Sequence, residues 1–180
     1  MNKYISLLRG INVSGHNLIK MADLKALYES LGFSNVQTYI QSGNAIFESD
    51  NKDKLYLEDG IKAEIKKLFG YDITVIIRTI KEFKEILENN PFADKDFDIK
   101  KLCVVFLKFP PEKSLVKELL NQFTGDEKFF FRKEEIYTYY PNGYGQTKAD
   151  NNFFERKLKV KSTVRNWNSV NKIYELANTA

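Results

Sequence analysis

The sequence has few of the side chains that bind transition metals. Its 180 residues include one cysteine, Cys103, and one histidine, His16. A zinc site takes about four such ligands, so we expect no metal site of this kind and no cofactor. Cys103 lies inside the apolar stretch "LCVVFL". A cysteine in such a stretch behaves as a small apolar side chain, and we expect it in the core rather than as a nucleophile.

Long apolar runs are also missing. "LCVVFL", residues 102–107, is the longest wholly apolar run, and a membrane helix needs about 20 such residues. The start, "MNKYISLLRG", lacks the apolar segment and cleavage site of a signal peptide. The hydrophobic fraction of 43% and the charged fraction of 29% are those of globular proteins. We therefore expect a cytoplasmic protein with no membrane partner.

Positive charge is concentrated near the C-terminus. The whole chain carries +4, whereas residues 148–172 hold seven basic and two acidic residues, a net of +5. A clustered positive field attracts anions, so this segment predicts an anionic partner. A solvated helix face is the other interpretation of the same pattern.

The first half of the chain has the order of a known α+β arrangement. "KYISLLR" predicts a strand, and "MADLKALYESLGF" predicts a helix that Gly32 ends. "VQTYIQ" and "NAIFES" predict two strands around a hairpin turn. A helix over 53–68 and the strand "DITVIIRT" follow. The resulting order, βαββαβ, is ferredoxin-like.

The second half nearly repeats this order. A helix over "IKEFKEILENN" stops before Pro91, and "PFADKDFDIK" predicts the internal boundary. Beyond it, the patterns predict βαββαα, with the last two helices over "DNNFFERKL" and "VRNWNSVNKIYEL". We therefore predict an α+β protein of two ferredoxin-like halves, residues 1–90 and 91–180, packed together with mostly antiparallel sheets. The halves are either two domains or one compact unit.

Five segments together resemble a bacterial family known as a domain of unknown function. They are "YISLLRGINVSGHNLIKMADLKALYESLGF", "VQTYIQSGNAIFES", "NPF", "YYPNGYGQTK" and "TVRNWNSVNKI", and they run from Tyr4 to near Leu176. The resemblance implies a compact α+β fold with ferredoxin-like repeats and no established activity. The chain departs from the family at His16, where a lysine is common.

Two polar segments of the first half contain candidate ligand-binding residues. In "RGINVSGHN", Gly10 and Gly15 have the spacing of a phosphate-binding P-loop, but the lysine and hydroxyl residue of that motif are missing. Backbone N–H groups of such a loop can still form an anion-binding nest, with Arg9 and Asn12 as further donors. In "QSGN", Gln41 and Asn44 are candidates too. The alternative for both segments is a turn whose asparagines bond the backbone.

The second half contains four further candidates. In "YPNGYGQTK", Thr147 and Asp150 predict a capping box, which would place Lys148 in the first turn of a helix. A lysine there is unfavourable for the helix dipole unless an anion binds. In "TVRNWN", Thr163 predicts an N-cap and Trp167 a core anchor. Arg165, Asn166 and Asn168 would then lie in the first turn, as ligand donors or as ties to the "YPNGYG" loop.

Four functions follow from these patterns. The first is binding of a phosphorylated or other anionic ligand by the polar loops of both halves. The second is nucleic-acid binding by an RRM-like sheet, in which Tyr137 and Tyr139 would stack on bases. An enzyme of unknown reaction is the third, with His16, the one histidine of the sequence, as a candidate acid–base side chain. The fourth is a homodimer that acts through protein interactions. No motif assigns a catalytic residue.

Overall fold

The chain contains one order of secondary structure twice. The computed structural model describes residues 1–93 and 97–179, so residues 94–96 of the predicted boundary loop lie outside the described residues. The first series is β1 (Asn2–Leu8), α1 (Met21–Ser30), β2 (Ser34–Tyr39), β3 (Asn44–Ser49), α2 (Lys54–Phe69), β4 (Val75–Thr79) and α3 (Ile80–Glu88). This order, βαββαβα, contains the predicted ferredoxin-like unit.

The second series has the same seven elements. They are β5 (Leu102–Leu107), α4 (Lys113–Gln122), β6 (Lys128–Arg132), β7 (Glu135–Tyr139), α5 (Asn151–Leu158), β8 (Ser162–Asn166) and α6 (Trp167–Thr179). Short 3-10 helices precede β5 and α5. The predicted order βαββαα is therefore wrong in one place, because a strand, β8, stands between the last two helices.

Two four-stranded antiparallel sheets result, with strand orders β2-β3-β1-β4 and β6-β7-β5-β8. The two orders are the same when β1 to β4 are matched with β5 to β8. The registers match as well, since Ile5 faces Arg78 across β1 and β4, and Val104 faces Arg165 across β5 and β8. The predicted α+β fold of two ferredoxin-like halves with antiparallel sheets is confirmed.

Contacts divide the chain into two compact units. The first unit comprises Met1–Glu85 together with the chain from Lys172 onwards, and the second comprises Ile86–Asn171. In the first unit, α1 and α2 bury apolar stripes in a core shared with one face of the sheet. In the second, α4 and α5 contribute to the equivalent core, which contains Leu119, Phe154 and Leu158.

Strands β1, β4 and β5 are buried on both of their faces over most of their length. Successive residues of a strand point to opposite faces of a sheet, and in β5 all six residues are buried. In β4, Ile76 and Ile77 are both fully buried. Such strands are almost wholly apolar, which is why the sequence patterns located β1, β4 and β5.

Side-chain caps fix the starts of two equivalent helices. Asp53 precedes α2 and accepts hydrogen bonds from the N–H groups of Leu55 and Tyr56, at 3.0 and 3.2 Å. Asp150 precedes α5 and accepts from the N–H of Phe153 at 2.9 Å. Aspartate favours this position because it satisfies N–H groups that have no partner within the helix. None of the described helices has the length and apolar composition that a bilayer crossing requires.

Candidate functional site

The loop between β1 and α1 is held by the side chain of Asn12. Its amide Nδ2 donates to the carbonyl oxygens of Ile19 and Gln41, each at 2.9 Å, and its Oδ1 accepts from the N–H of Ile19 at 2.9 Å. Asn17 donates to the carbonyl of Gly10 at 2.9 Å. These bonds stabilise a backbone in which Gly10, Asn12 and Asn17 all have positive φ. Asn12 therefore bonds the backbone of a turn, which is the alternative to ligand binding that the sequence offered for it.

The turn between β2 and β3 packs directly against this loop. Gly43 has φ +76°, and a Cβ added there would lie 2.7 Å from Ile11 Cδ1. Its carbonyl accepts the N–H of Leu8 at 2.9 Å. The Nδ2 of Asn44, which is 1% exposed, donates to Tyr39 O and Ser42 Oγ at 3.0 Å. The side chain of Gln41 is exposed, whereas its carbonyl accepts from Asn12.

Arg9 follows β1 at the start of the same loop. Its N–H donates to the carbonyl of Thr74 at 2.9 Å, and the residue is half-buried. The structure thus brings together the first-half candidates Arg9, Asn12, Gln41 and Asn44 around one corner of the first unit. The loop is not a P-loop by its geometry, because α1 begins only at Met21 and its N-cap, Lys20, makes no side-chain cap.

Lys148 lies before α5 rather than in its first turn. The predicted capping box is wrong, because Asp150 is the N-cap and the helix begins at Asn151. Thr147 instead donates to the carboxylate of Glu127 through a short hydrogen bond, and its Oγ1 accepts the N–H of Ala149 at 2.9 Å. Asp150, which is closer to the helix, satisfies a free N–H group of α5. Thr147 is therefore not the cap, and its hydroxyl joins two loops instead.

A cavity of about 400 Å³ opens beside Lys148 in the second unit. Its apolar wall contains Phe123 and Phe153, whose ring centroids are 5.8 Å apart at 65°. Its polar groups include Lys148, Lys157 and Glu127. The cavity therefore combines an apolar surface with two ammonium groups and one carboxylate, which suits a small molecule that is apolar at one end and negatively charged at the other.

The two ammonium groups of this cavity have different surroundings. Lys157 Nζ donates to Gln122 Oε1 at 3.0 Å. Lys148 is exposed, and its side chain makes no hydrogen bond or ion pair within residues 1–93 and 97–179. Glu127, which is half-buried, already accepts from Thr147. Lys157 thus bonds a neutral amide, whereas Lys148 has no hydrogen-bond or ion-pair partner among the described residues.

Arg165 lies in β8 and is buried. The prediction of a helix with Thr163 as its N-cap is wrong, because Ser162–Asn166 pairs with β5. Arg165 is 6% exposed, and its Nη1 donates to Thr163 Oγ1 at 2.8 Å and to Val164 O at 2.9 Å. Burial lowers the pKa of Arg165 to about 10, so the guanidinium stays protonated at neutral pH. These bonds supply acceptors that a buried cation needs.

Asn166 and Asn168 stand at the beginning of α6, and both are exposed. Asn166 Oδ1 accepts the N–H of Ser169 at 2.8 Å, which makes Asn166 the cap of that helix. Trp167 is 8% exposed, which confirms it as a core residue. Asn171 donates to the carbonyl of Trp167 at 2.8 Å. The amides around the tryptophan therefore include one that caps α6 and one that bonds its first turn.

The reactive side chains give little support to covalent chemistry. Cys103 is 6% exposed, and burial raises the pKa of its thiol to about 12, so the prediction of a core cysteine is confirmed. His16 is exposed in the β1–α1 loop. Within residues 1–93 and 97–179, no three His, Cys, Asp or Glu side chains lie close enough to hold a metal ion.

The aromatic residues considered for base stacking differ in exposure. Tyr137 is 1% exposed, and its hydroxyl donates to Ile86 O at 2.8 Å. Tyr139 is half-buried beside Phe97, with ring centroids 4.6 Å apart. Base stacking needs an open ring face, and the ring of Tyr137 does not offer one.

The cavity contains residues that no sequence motif identified. Phe123, Phe153, Glu127 and Lys157 were not candidates, and only Lys148 was. Phe153 and Lys157 are spaced i, i+4, which places them on one face of α5. That spacing alone is typical of many solvent-facing helices, so the sequence did not distinguish these residues from others.

Comparisons with known proteins identify the family. Residues 1–137 match the model described as "Protein of unknown function (DUF1697)". A solved structure described as "The structure of conserved bacterial protein SP0830 from Streptococcus pneumoniae" has a TM-score of 0.77 and 25% sequence identity, and the match covers 98% of each chain. No curated protein matches the chain. The chain belongs to the DUF1697 family, which confirms the resemblance of its motifs.

Proposed function

We propose that this member of the DUF1697 family binds a small anionic ligand in the cavity beside Lys148. The observation that carries the proposal is that Lys148, an exposed lysine with no partner among the described residues, lines a partly apolar cavity of about 400 Å³. A carboxylate or phosphate oxygen of a ligand would accept hydrogen bonds from Lys148, while its apolar body would pack on Phe123 and Phe153.

Five of the eight candidate residues are assigned here by their contacts. Asn12, Asn44, Arg165 and Asn166 make hydrogen bonds within their own units that account for their residue types. Lys148 makes none, so we assign it the ligand contact. The volume limits the ligand to a small molecule, because cavities that hold drug-sized ligands measure about 300 to 1,000 Å³.

A thermal-shift titration with phenyl phosphate and phenol tests the proposal. The two compounds share a ring, and only phenyl phosphate carries the anion. At about 100 times its dissociation constant, a ligand raises the free energy of unfolding by about 2.7 kcal/mol. We expect phenyl phosphate to raise Tm and phenol to leave it unchanged. Nucleotides, sugar phosphates and aromatic carboxylates extend the same titration to other anion classes.

Two lysine variants show whether the cavity is responsible. Lys148→Ala removes the proposed contact, and Lys52→Ala removes another exposed lysine that lies just before a helix N-cap, Asp53 of α2. We expect the Tm shift to disappear in Lys148→Ala and to persist in Lys52→Ala. An equal shift in both variants, or no shift with any of the anions, would refute the proposal.

A further inference from the structure

A second concave surface lies between α4 and the edge strand β6. This groove, the α4–β6 groove, measures about 500 Å³, and its apolar lining includes Pro111, Val116, Leu120 and Phe131. Leu120 is 48% exposed and lies beside other apolar side chains of the groove. The groove therefore presents several apolar side chains to solvent.

The strand beside this groove has one unpaired edge. Within residues 1–93 and 97–179, β6 forms ladder bonds with β7 alone, because it is the outer strand of its sheet. An edge strand offers a row of N–H and C=O groups to which an extended chain can add. Peptide-binding proteins use this geometry, in which main-chain bonds give affinity and a neighbouring pocket accepts a side chain.

The groove carries positive charge without acidic neighbours in its lining. Lys113, Lys117 and Lys133 line it, and no aspartate or glutamate does. Lys128 and Arg132, at the two ends of β6, are also exposed. A negatively charged partner would associate with this surface more readily than a neutral or positive one, because complementary charge favours encounter and disfavours other partners.

The equivalent groove of the first unit provides an internal comparison. It lies between α1 and β2, and it is lined by Lys25, Glu29, Asn35, Val36 and Gln37. Its lining has one apolar side chain, and its lysine pairs with Glu29 at 3.8 Å. The same position in the fold is thus polar and charge-compensated in one unit, and apolar and basic in the other. The fold does not require the basic apolar form.

A second copy of the chain does not suit this edge. Antiparallel pairing of two β6 strands about Phe130 would place Lys128 of one copy opposite Arg132 of the other. Like charges directly opposite each other destabilise a strand pair. A partner strand that alternates acidic and apolar side chains has the complementary pattern.

We propose that the α4–β6 groove binds an extended acidic peptide segment of another protein, which adds as a strand to β6. An apolar side chain of the peptide enters the groove against Val116 and Leu120. Its carboxylates face Lys113 and Lys117. This inference does not depend on the ligand cavity beside Lys148.

Fluorescence anisotropy with a labelled seven-residue peptide, EIELEVE, tests the inference on the full chain. The matched probes are KIKLKVK, which reverses the charge, and EIELEVE with every backbone amide N-methylated, which keeps the charge but has no N–H group to donate to a strand ladder. We expect saturable binding of EIELEVE alone. Binding of the N-methylated peptide with equal affinity would overturn strand addition, and no binding of EIELEVE at low salt would overturn the proposal as a whole.

Charge reversals then locate the binding surface. Lys117→Glu should weaken EIELEVE binding by about tenfold, because it replaces an attraction by a repulsion. Lys25→Glu makes the same change in the equivalent groove of the first unit and should leave the affinity unchanged. Equal weakening by both variants would show non-specific attraction and refute the assignment. If sedimentation shows a dimer that Lys117→Glu dissociates, the partner in this groove is a second copy of the chain and not a peptide.

Discussion

The two units contain equivalent buried arginines at equivalent strand ends. Arg78 in β4 is 2% exposed, and Arg165 in β8 is 6% exposed. Each faces an apolar residue of the central strand, and each donates from Nη1 to the carbonyl of the residue before it, at 3.0 and 2.9 Å. The next residue, Thr79 or Asn166, caps the helix that follows.

Other equivalent positions of the two units differ. The segment between β1 and α1 is a loop held by Asn12, whereas the segment between β5 and α4 is short and contains Pro110 and Pro111. Two residues before the helix cap, the first unit has Asn51, which accepts the N–H of Asp53 at 2.8 Å, and the second has Lys148.

This comparison separates two kinds of residue. A feature that occurs in both units, such as the buried arginine, is explained by the shared fold. A feature of one unit, such as Lys148 or the basic α4–β6 groove, needs another explanation. Because each ferredoxin-like unit can be built without such a feature, a binding function is the explanation that we favour for it.

The largest expected effect comes from the paired arginines. Arg78→Met and Arg165→Met keep an apolar stem and remove a guanidinium whose buried acceptors then lose their donor. We expect each variant to lower the free energy of unfolding by roughly 3 kcal/mol. Urea unfolding of the two variants and the wild type measures this. An unchanged or raised stability in Arg165→Met alone would show that Arg165 serves a ligand and not the fold.

A smaller effect is expected at the turn that packs on the β1–α1 loop. Gly43→Ala places a Cβ 2.7 Å from Ile11 Cδ1 at φ +76°, whereas Gly70→Ala has the same backbone strain, φ +77°, with nothing within 4 Å. We expect Gly70→Ala to cost about 1 kcal/mol and Gly43→Ala about 1 kcal/mol more, because the side chains must shift. Thermal unfolding compares the two, and equal losses would show that the loop moves without cost.

The two helix caps should differ in their response to acid. Thr79 and Glu82 form a reciprocal capping box, in which Glu82 accepts from Thr79 N at 2.7 Å, whereas Asn166 caps α6 with a neutral amide. Burial alone would raise the pKa of Glu82, but hydrogen bonds from Lys54 and Thr79 lower it below its ordinary value. A lowered pKa means that the carboxylate stabilises the fold above the unfolded pKa and loses this effect as pH falls through the folded one.

We therefore expect Thr79→Ala and Asn166→Ala each to cost about 1 kcal/mol at pH 7. Glu82→Gln should destabilise the protein at neutral pH, and its difference from the wild type should shrink towards about pH 3. The loss in Asn166→Ala should not follow the titration of Glu82. Urea midpoints measured from pH 7 to pH 3 check this, and a pH-independent effect of Glu82→Gln would contradict the role of its charge.

The strands β4 and β8 show how far the fold could be predicted from the sequence. "VIIRT" begins with three apolar residues, Val75 to Ile77, and this run revealed β4. "STVRN" contains Ser162, Thr163 and Arg165, which are buried yet polar, so no apolar alternation marked β8. The polar groups of Ser162 are satisfied by residues elsewhere in the sequence, since its hydroxyl donates to Asn151 Oδ1 and its N–H to Glu155 Oε1, each at 2.8 Å. Such tertiary contacts leave no local pattern.

The candidate site was less predictable for a related reason. In turns, the same polar side chains can either bond the backbone or bind a ligand. Asn12 and Asn44 were selected as candidates by residue type alone. Lys148 was selected through a capping box that is not formed. What places Lys148 beside a cavity is the packing of Phe123 and Phe153, residues that lie on different elements.

The smallest expected effect concerns stability at the two equivalent grooves. Lys25→Glu replaces an i, i+4 ion pair with Glu29 by a repulsion and should cost about 0.5 kcal/mol. Lys117→Glu places a carboxylate four residues after Lys113, an i, i+4 pair of opposite charge on α4, and should gain about 0.3 kcal/mol. Urea unfolding measures both changes. If Lys117→Glu stabilises the protein while it weakens EIELEVE binding, Lys117 slightly lowers the stability of the fold. Binding of an acidic partner then explains why a lysine occupies this position. A loss of stability in Lys117→Glu would instead make the lysine a structural residue of α4.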